Sequence, residues 1–116
     1  MSKELMISLV VLGLTGCASI QIPADRLKAS ETSIRGAEEV GALGVPAARL
    51  HLQLAKDETE TAKKMAANGD KRALLVLARA ESDAELALGL AREATAHNAA
   101  LEATEDLKAI KVRATP

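Results

Sequence analysis

Cys17 is the only cysteine in this 116-residue chain, and it directly follows Leu14-Thr15-Gly16. A lone thiol forms no internal disulfide, and no zinc-type spacing exists around it. Its setting points to other chemistry. Lys3 supplies a weak positive charge, partly cancelled by Glu4. Leu5 to Leu14 then form an apolar run too short to span a bilayer but suited to a secretion signal. Small residues before the cysteine suit a signal peptidase, whereas the plain alternative is a buried thiol on an N-terminal helix. The two histidines are the next candidates. In a helical hairpin the Pro46 end of one helix sits near residues 90 to 95, which would bring His51, His97 and Glu93 toward one another. Two imidazoles without a closed ligand set make a poor metal site, so both are read as half-exposed flank residues and no metal is expected. The carboxylate pairs Glu38-Glu39, Asp57-Glu58 and Glu105-Asp106 point apart on a helix. General acid–base work needs one of them buried in a cleft, so they are read as solvated faces. There is no Ser-His-Asp set, and Gly36, Gly41 and Gly44 follow no strand, as a phosphate loop requires. The chain is therefore expected to be no enzyme and to carry no cofactor.

The elements that hold these residues are helical by composition. The chain has no Phe, Tyr or Trp, and alanine and leucine dominate. Without aromatics the interior must be thin, as between closely spaced helices, and alanine both favours helix and lets backbones approach. The net charge of -1 leaves no basic face for nucleic acid, and no aromatic platform exists for bases to stack on. No nucleic-acid partner is expected.

Three helices are predicted, over about 24–42, 46–67 and 70–112, forming one domain over 24–116 after a short tether at 17–23. The first presents Leu27, Ser30, Ile34, Ala37 and Gly41 inward, with Gly44 as its C-cap and Pro46 opening the next helix. In the second, Ala48, Leu52, Ala55, Thr59, Ala62 and Ala66 recur every three or four residues. Asn68-Gly69-Asp70 reads as a tight reversal, with Gly69 left-handed and Asp70 capping the third helix. There, Ala73, Leu77, Ala80, Ala84, Ala87, Ala91 and Ala94 alternate by four and three, the spacing of a close helix–helix seam. At His97-Asn98 the seam breaks, and it resumes rotated at Ala100, Ala103, Leu107 and Ile110. The fold class is all-α, an antiparallel hairpin or three-helix bundle with a long C-terminal helix that outruns its partner. Leu101, Leu107 and Ile110 are the expected partner-binding stripe of that unpaired end. With the first helix antiparallel to the second, the N-terminus lies near Asn68-Gly69 and the overhang points away from it.

The stretch Leu14-Thr15-Gly16-Cys17 resembles the lipobox of bacterial lipoproteins. The resemblance implies that residues 1–16 are a cleaved lipoprotein signal peptide and that Cys17 becomes residue one. Its sulfur would carry a diacylglyceryl group, usually joined by a third, palmitate-type chain. Two or three chains, at about 0.8 kcal/mol per buried methylene, hold a protein on a membrane almost permanently. Ala18 rather than Asp after the cysteine resembles an outer-membrane address in Gram-negative lipoproteins, which places the protein on the periplasmic leaflet.

Ile34-Arg35-Gly36-Ala37-Glu38-Glu39, Val45-Pro46-Ala47-Ala48-Arg49-Leu50, Ala62-Lys63-Lys64, Gly69-Asp70 and Ala80-Glu81-Ser82-Asp83-Ala84-Glu85 resemble domain-of-unknown-function family 4398. That family consists of small alanine-rich helical domains of bacterial envelope lipoproteins. The resemblance covers about the middle half of the chain and transfers no catalytic residue. Two functions follow as expectations. The first is a non-catalytic, lipid-anchored envelope protein that is structural or binds a protein partner, itself included. The alternative is a periplasmic carrier or sensor that takes a small apolar ligand between helices.

Overall fold

A computed structural model describes residues 19–115, all-helical apart from turns and a short N-terminal lead. Cys17 and residues 1–16, expected to be a signal peptide, lie outside the described residues. The helices are α1 (Ala24–Glu39), α2 (Pro46–Ala67) and α3 (Ala73–Ala114). Among the described residues, no helix is long and apolar enough to cross a membrane.

α1 starts directly after Pro23, whose carbonyl accepts from the Leu27 N–H at 3.2 Å, and Asp25 in the first turn suits the positive helix end. The helix stops at Glu39 rather than Ala42. The reversal belongs to Gly41, not Gly44, because Gly41 takes the left-handed φ of 91° that glycine adopts without strain. Ala42–Gly44 then form a single 3-10 turn, so Gly41 is exposed rather than part of the inward stripe. Leu27 is only half-buried for a similar reason: it lies near the open end of the helix.

α2 begins with Pro46, where the missing N–H has no intrahelical partner to lose. Every predicted seam position, from Ala48 to Ala66, is buried. The helix ends in a Schellman motif. Asp70 N–H bonds the Met65 carbonyl at 2.9 Å, Gly69 N–H bonds Ala66 at 3.0 Å, and Gly69 has a φ of 74°. Asp70 does not cap α3. Its carboxylate accepts from the Arg72 N–H and guanidinium, which holds residues 70–72 in a turn and delays the helix to Ala73.

Side-chain pairs set the directions. Glu31–Lys63 (3.0 Å), Ser30–Thr59 and Glu38–Lys56 run α1 antiparallel to α2. Glu58–Arg79 (2.9 Å) and His51–Asp83 (2.7 Å) do the same for α2 and α3. Arg26–Glu81 and the seating of Leu88 over Gly36, 3.6 Å from where a Cβ would be, run α1 alongside α3. A Cβ there would sit at ordinary van der Waals distance from Leu88, so the packing does not require glycine and its roughly 1 kcal/mol helix penalty stands.

The contact is narrow and built from alanine. Ala55, Ala62, Ala80, Ala84, Ala87 and Ala91 are fully inaccessible, and Leu52 and Leu77 are the largest side chains wholly enclosed. One buried polar pair interrupts it. Thr59 donates to the Ala55 carbonyl (2.7 Å), so the Ser30 hydroxyl donates to Thr59 across 3.0 Å. The buried seam of α3 ends at Ala91, and every described residue from Thr95 onward is exposed. At 42 residues α3 is about 63 Å long. The Ile20 N–H bonds the Ala66 carbonyl (3.1 Å), which ties the start of the described chain to the Asn68–Gly69 end, opposite the overhang.

Candidate functional site

Two regions of the described chain bear on function: a polar cluster between α2 and α3, and the free end of α3. The cluster consists of His51 and Glu58 on α2 with Arg79 and Asp83 on α3. These residues meet because a tight turn folds α2 back on α3, so α2 runs antiparallel to it and residues flanking the two alanine seams face one another. His51 Nδ1 lies 2.7 Å from Asp83 Oδ1, and Arg79 reaches Glu58 Oε1 at 2.9 Å. Glu58 is mostly buried, and its Oε2 has no hydrogen-bond partner among the described residues. Burial pushes the Glu58 carboxyl above the usual carboxylate range. Arg79 opposes the shift, while the neighbouring Asp83 carboxylate adds to it.

The postulated meeting of His51 with His97 does not occur. His51 is engaged by Asp83, and fourteen residues of α3, about 21 Å, separate Asp83 from His97. His97 instead borders a shallow groove with Val45, Leu90 and Glu93. The antiparallel register made the true partner of His51 readable, since Asp83 lies about one turn from the position facing it. The cluster opens onto a shallow groove lined by Arg79, Ser82, Asp83 and Leu86. The Ser82 hydroxyl there donates to the Ala78 carbonyl, 3.1 Å away. What the four residues can do is clasp α2 to α3 through two ion pairs.

The titration of Glu58 gives a prediction. A carboxyl raised in the folded state stabilises the fold below its unfolded pKa, and that contribution is lost as pH rises through the raised value. Glu58→Gln removes this titration, so the stability of the variant relative to wild type should increase as pH rises above about 4. Each kcal/mol appears as about 4–8 °C in Tm for a body of this size. Thermal melts followed by circular dichroism read it. A wild type that gains on the variant as pH rises contradicts the assignment.

At the free end, Leu101, Leu107 and Ile110 are exposed by 53%, 61% and 60%. They do not make one stripe. Nine residues separate Leu101 from Ile110, two and a half turns of unbroken helix, so these two lie on opposite sides. Leu107 and Ile110 share a face with Ala100 and Ala103. Leu101 lies on the face of Lys108 and Val112. Scanned against protein-family models, and searched against curated proteins and solved structures, the chain matches none.

Proposed function

We propose that this protein is a non-catalytic envelope lipoprotein, anchored through acylated Cys17, whose three-helix bundle carries α3 as a contact arm for a protein partner. The observation that supports this reading is the arm itself. α3 continues as helix for 23 residues past its last buried residue, Ala91, while keeping Leu107 and Ile110 on one exposed face. A helix without packing partners retains water-exposed aliphatic side chains at no benefit to its own body, whereas a partner that covers them removes apolar area from water. The start of α1 lies beside the turn at the opposite end from the arm. An anchor at Cys17 would therefore hold the arm away from the membrane surface, on the periplasmic side of an outer membrane. Alanine contacts bring the helices close together, which favours a role in contact over the carriage of a ligand between them.

Truncation after Ala96 tests it, because the deleted residues contribute nothing to the buried seam. The truncated protein should melt within about 0.5 kcal/mol of the full chain, as deletions away from buried contacts do. It should also lose the crosslinks that the full chain forms in intact envelopes. Crosslinks that persist unchanged contradict an arm in this role.

A further inference from the structure

We infer that the outer face of α3 pairs with the same face of a second copy of this chain, antiparallel, with Leu86 against Ile110 of the second copy. This rests on the reading of α3 as a contact arm and names its occupant.

The face is a second seam, distinct from the one buried against α2. It begins in the body at Ser82, Leu86, Gly89 and Glu93 and continues along the arm through Ala96, Ala103 and Ile110, stepping by alternate fours and threes to Ala114, with Glu93 facing Ala103 in the antiparallel pair. At about 100° per residue it lies roughly opposite the inner seam, so a helix laid on it meets neither α1 nor α2. Its members are exposed, Leu86 by 45% and Leu107 by 61%. A Cβ built at Gly89 meets nothing within 4 Å, so this position leaves room for a close neighbour. Alternation of four and three over this length is the pattern of a two-stranded coiled coil.

Charge selects the occupant and the register. In the antiparallel pair, Leu107 of one copy fills the space over Gly89 of the other, and Ala96 meets Ala100. The flanking residues then fall into opposite-charge pairs: Glu85 with Arg113, Arg92 with Asp106, and Asp83 with Lys111. Two-fold symmetry forms each pair twice. Ile110 and Lys111 of the second copy enter the groove lined by Arg79, Ser82, Asp83 and Leu86. Sliding one heptad toward greater overlap sets Glu85 against Asp106, and sliding the other way sets Arg92 against Arg113. A parallel pair stacks Glu93 on Glu93. Of these arrangements, only the chosen one sets no carboxylate against a carboxylate and no Lys or Arg against Lys or Arg in the flanking positions, and His97 meets its own copy at the two-fold axis.

The test is a charge swap in the full chain in mild detergent, read by sedimentation. Arg92→Asp and Asp106→Arg each create two like-charge pairs, so each should weaken self-association roughly tenfold, and the double variant should restore it to within about twofold. Both positions are exposed, so folding is left intact. In a Cys17→Ser background, Leu86→Cys and Ile110→Cys chains should form interchain disulfides when mixed and not separately. Disulfides between two Ile110→Cys chains, or a double variant as weak as the singles, overturn this register. A full chain that stays monomeric up to about 100 µM overturns self-pairing altogether. If truncation after Ala96 still abolishes envelope crosslinks in that case, the contact arm stands with a different partner.

Discussion

Ala84→Leu is expected to cost the three-helix body about 3 kcal/mol or more, a large share of its stability. Ala84 is completely inaccessible and belongs to the cluster formed by Ile34, Leu52, Ala55 and Ala87. Three extra carbons have no cavity to enter where the seam is made of methyl groups. Overpacking an ordinary core costs about 1–3 kcal/mol because large neighbours rotate aside. Here Ala55 and Ala87 have no rotamers to change and Leu52 is itself enclosed, so the helices must separate and the cost should reach the top of that range or exceed it. A small body with little apolar area per residue has net stability near the low end of about 5–15 kcal/mol. Leu77→Ala, which removes one of the two largest enclosed side chains, should cost about 2–5 kcal/mol by leaving a void. Ala109→Leu, on the exposed arm, should cost nothing measurable. Urea titrations followed by circular dichroism rank the three variants. An Ala84→Leu protein as stable as Ala109→Leu contradicts the close-packed seam.

That seam was legible because alanine and leucine recur at helical spacing with polar residues between them. In α2 all six predicted positions are buried, and in α3 burial follows the four-three alternation from Ala73 to Ala91, whereas the predicted Ala94 is only partly buried, because α2 has ended beside it. Gly69 was legible as a left-handed cap because Asn68-Gly69-Asp70 offers no competing glycine. The end of α1 was not, because Gly41 and Gly44 are both competent and only tertiary contact decides between them. Asp70 misled for a related reason: its carboxylate has a cationic neighbour in Arg72, which draws it into a local turn instead of a cap. The pairing of His51 with Asp83 needed the register of the hairpin rather than periodicity, since Asp83 lies about one turn from the position facing His51. Grouping Leu101 with Ile110 ignored the phase of the helix over two and a half turns. The outer seam escaped notice because in its body half it is diluted by Ser82, Gly89 and Glu93, and it becomes visible only once the inner face of α3 is known.

Cys17→Ser carries the largest expected effect on where the protein resides. A serine hydroxyl does not take up the diacylglyceryl group as the thiolate does, so neither the anchor nor the cleavage that depends on it should follow. Each acyl chain contributes about 0.8 kcal/mol per buried methylene, so the loss of two or three chains converts near-permanent attachment to none through that residue. The apolar run Leu5 to Leu14 remains on an uncleaved precursor, so sedimentation with membranes does not by itself distinguish the two states. Loss of the acyl groups and retention of residues 1–16 both change the mass of the chain, in opposite senses and by different amounts.

The most direct measurement is therefore the intact mass of the chain extracted from cell envelopes after growth with labelled palmitate. The account predicts a wild-type chain that begins at Cys17 and carries labelled acyl groups, beside an unlabelled Cys17→Ser chain that still begins at Met1. A wild-type chain with a free Cys17 thiol, or a serine variant processed and retained in the envelope like the wild type, would contradict it.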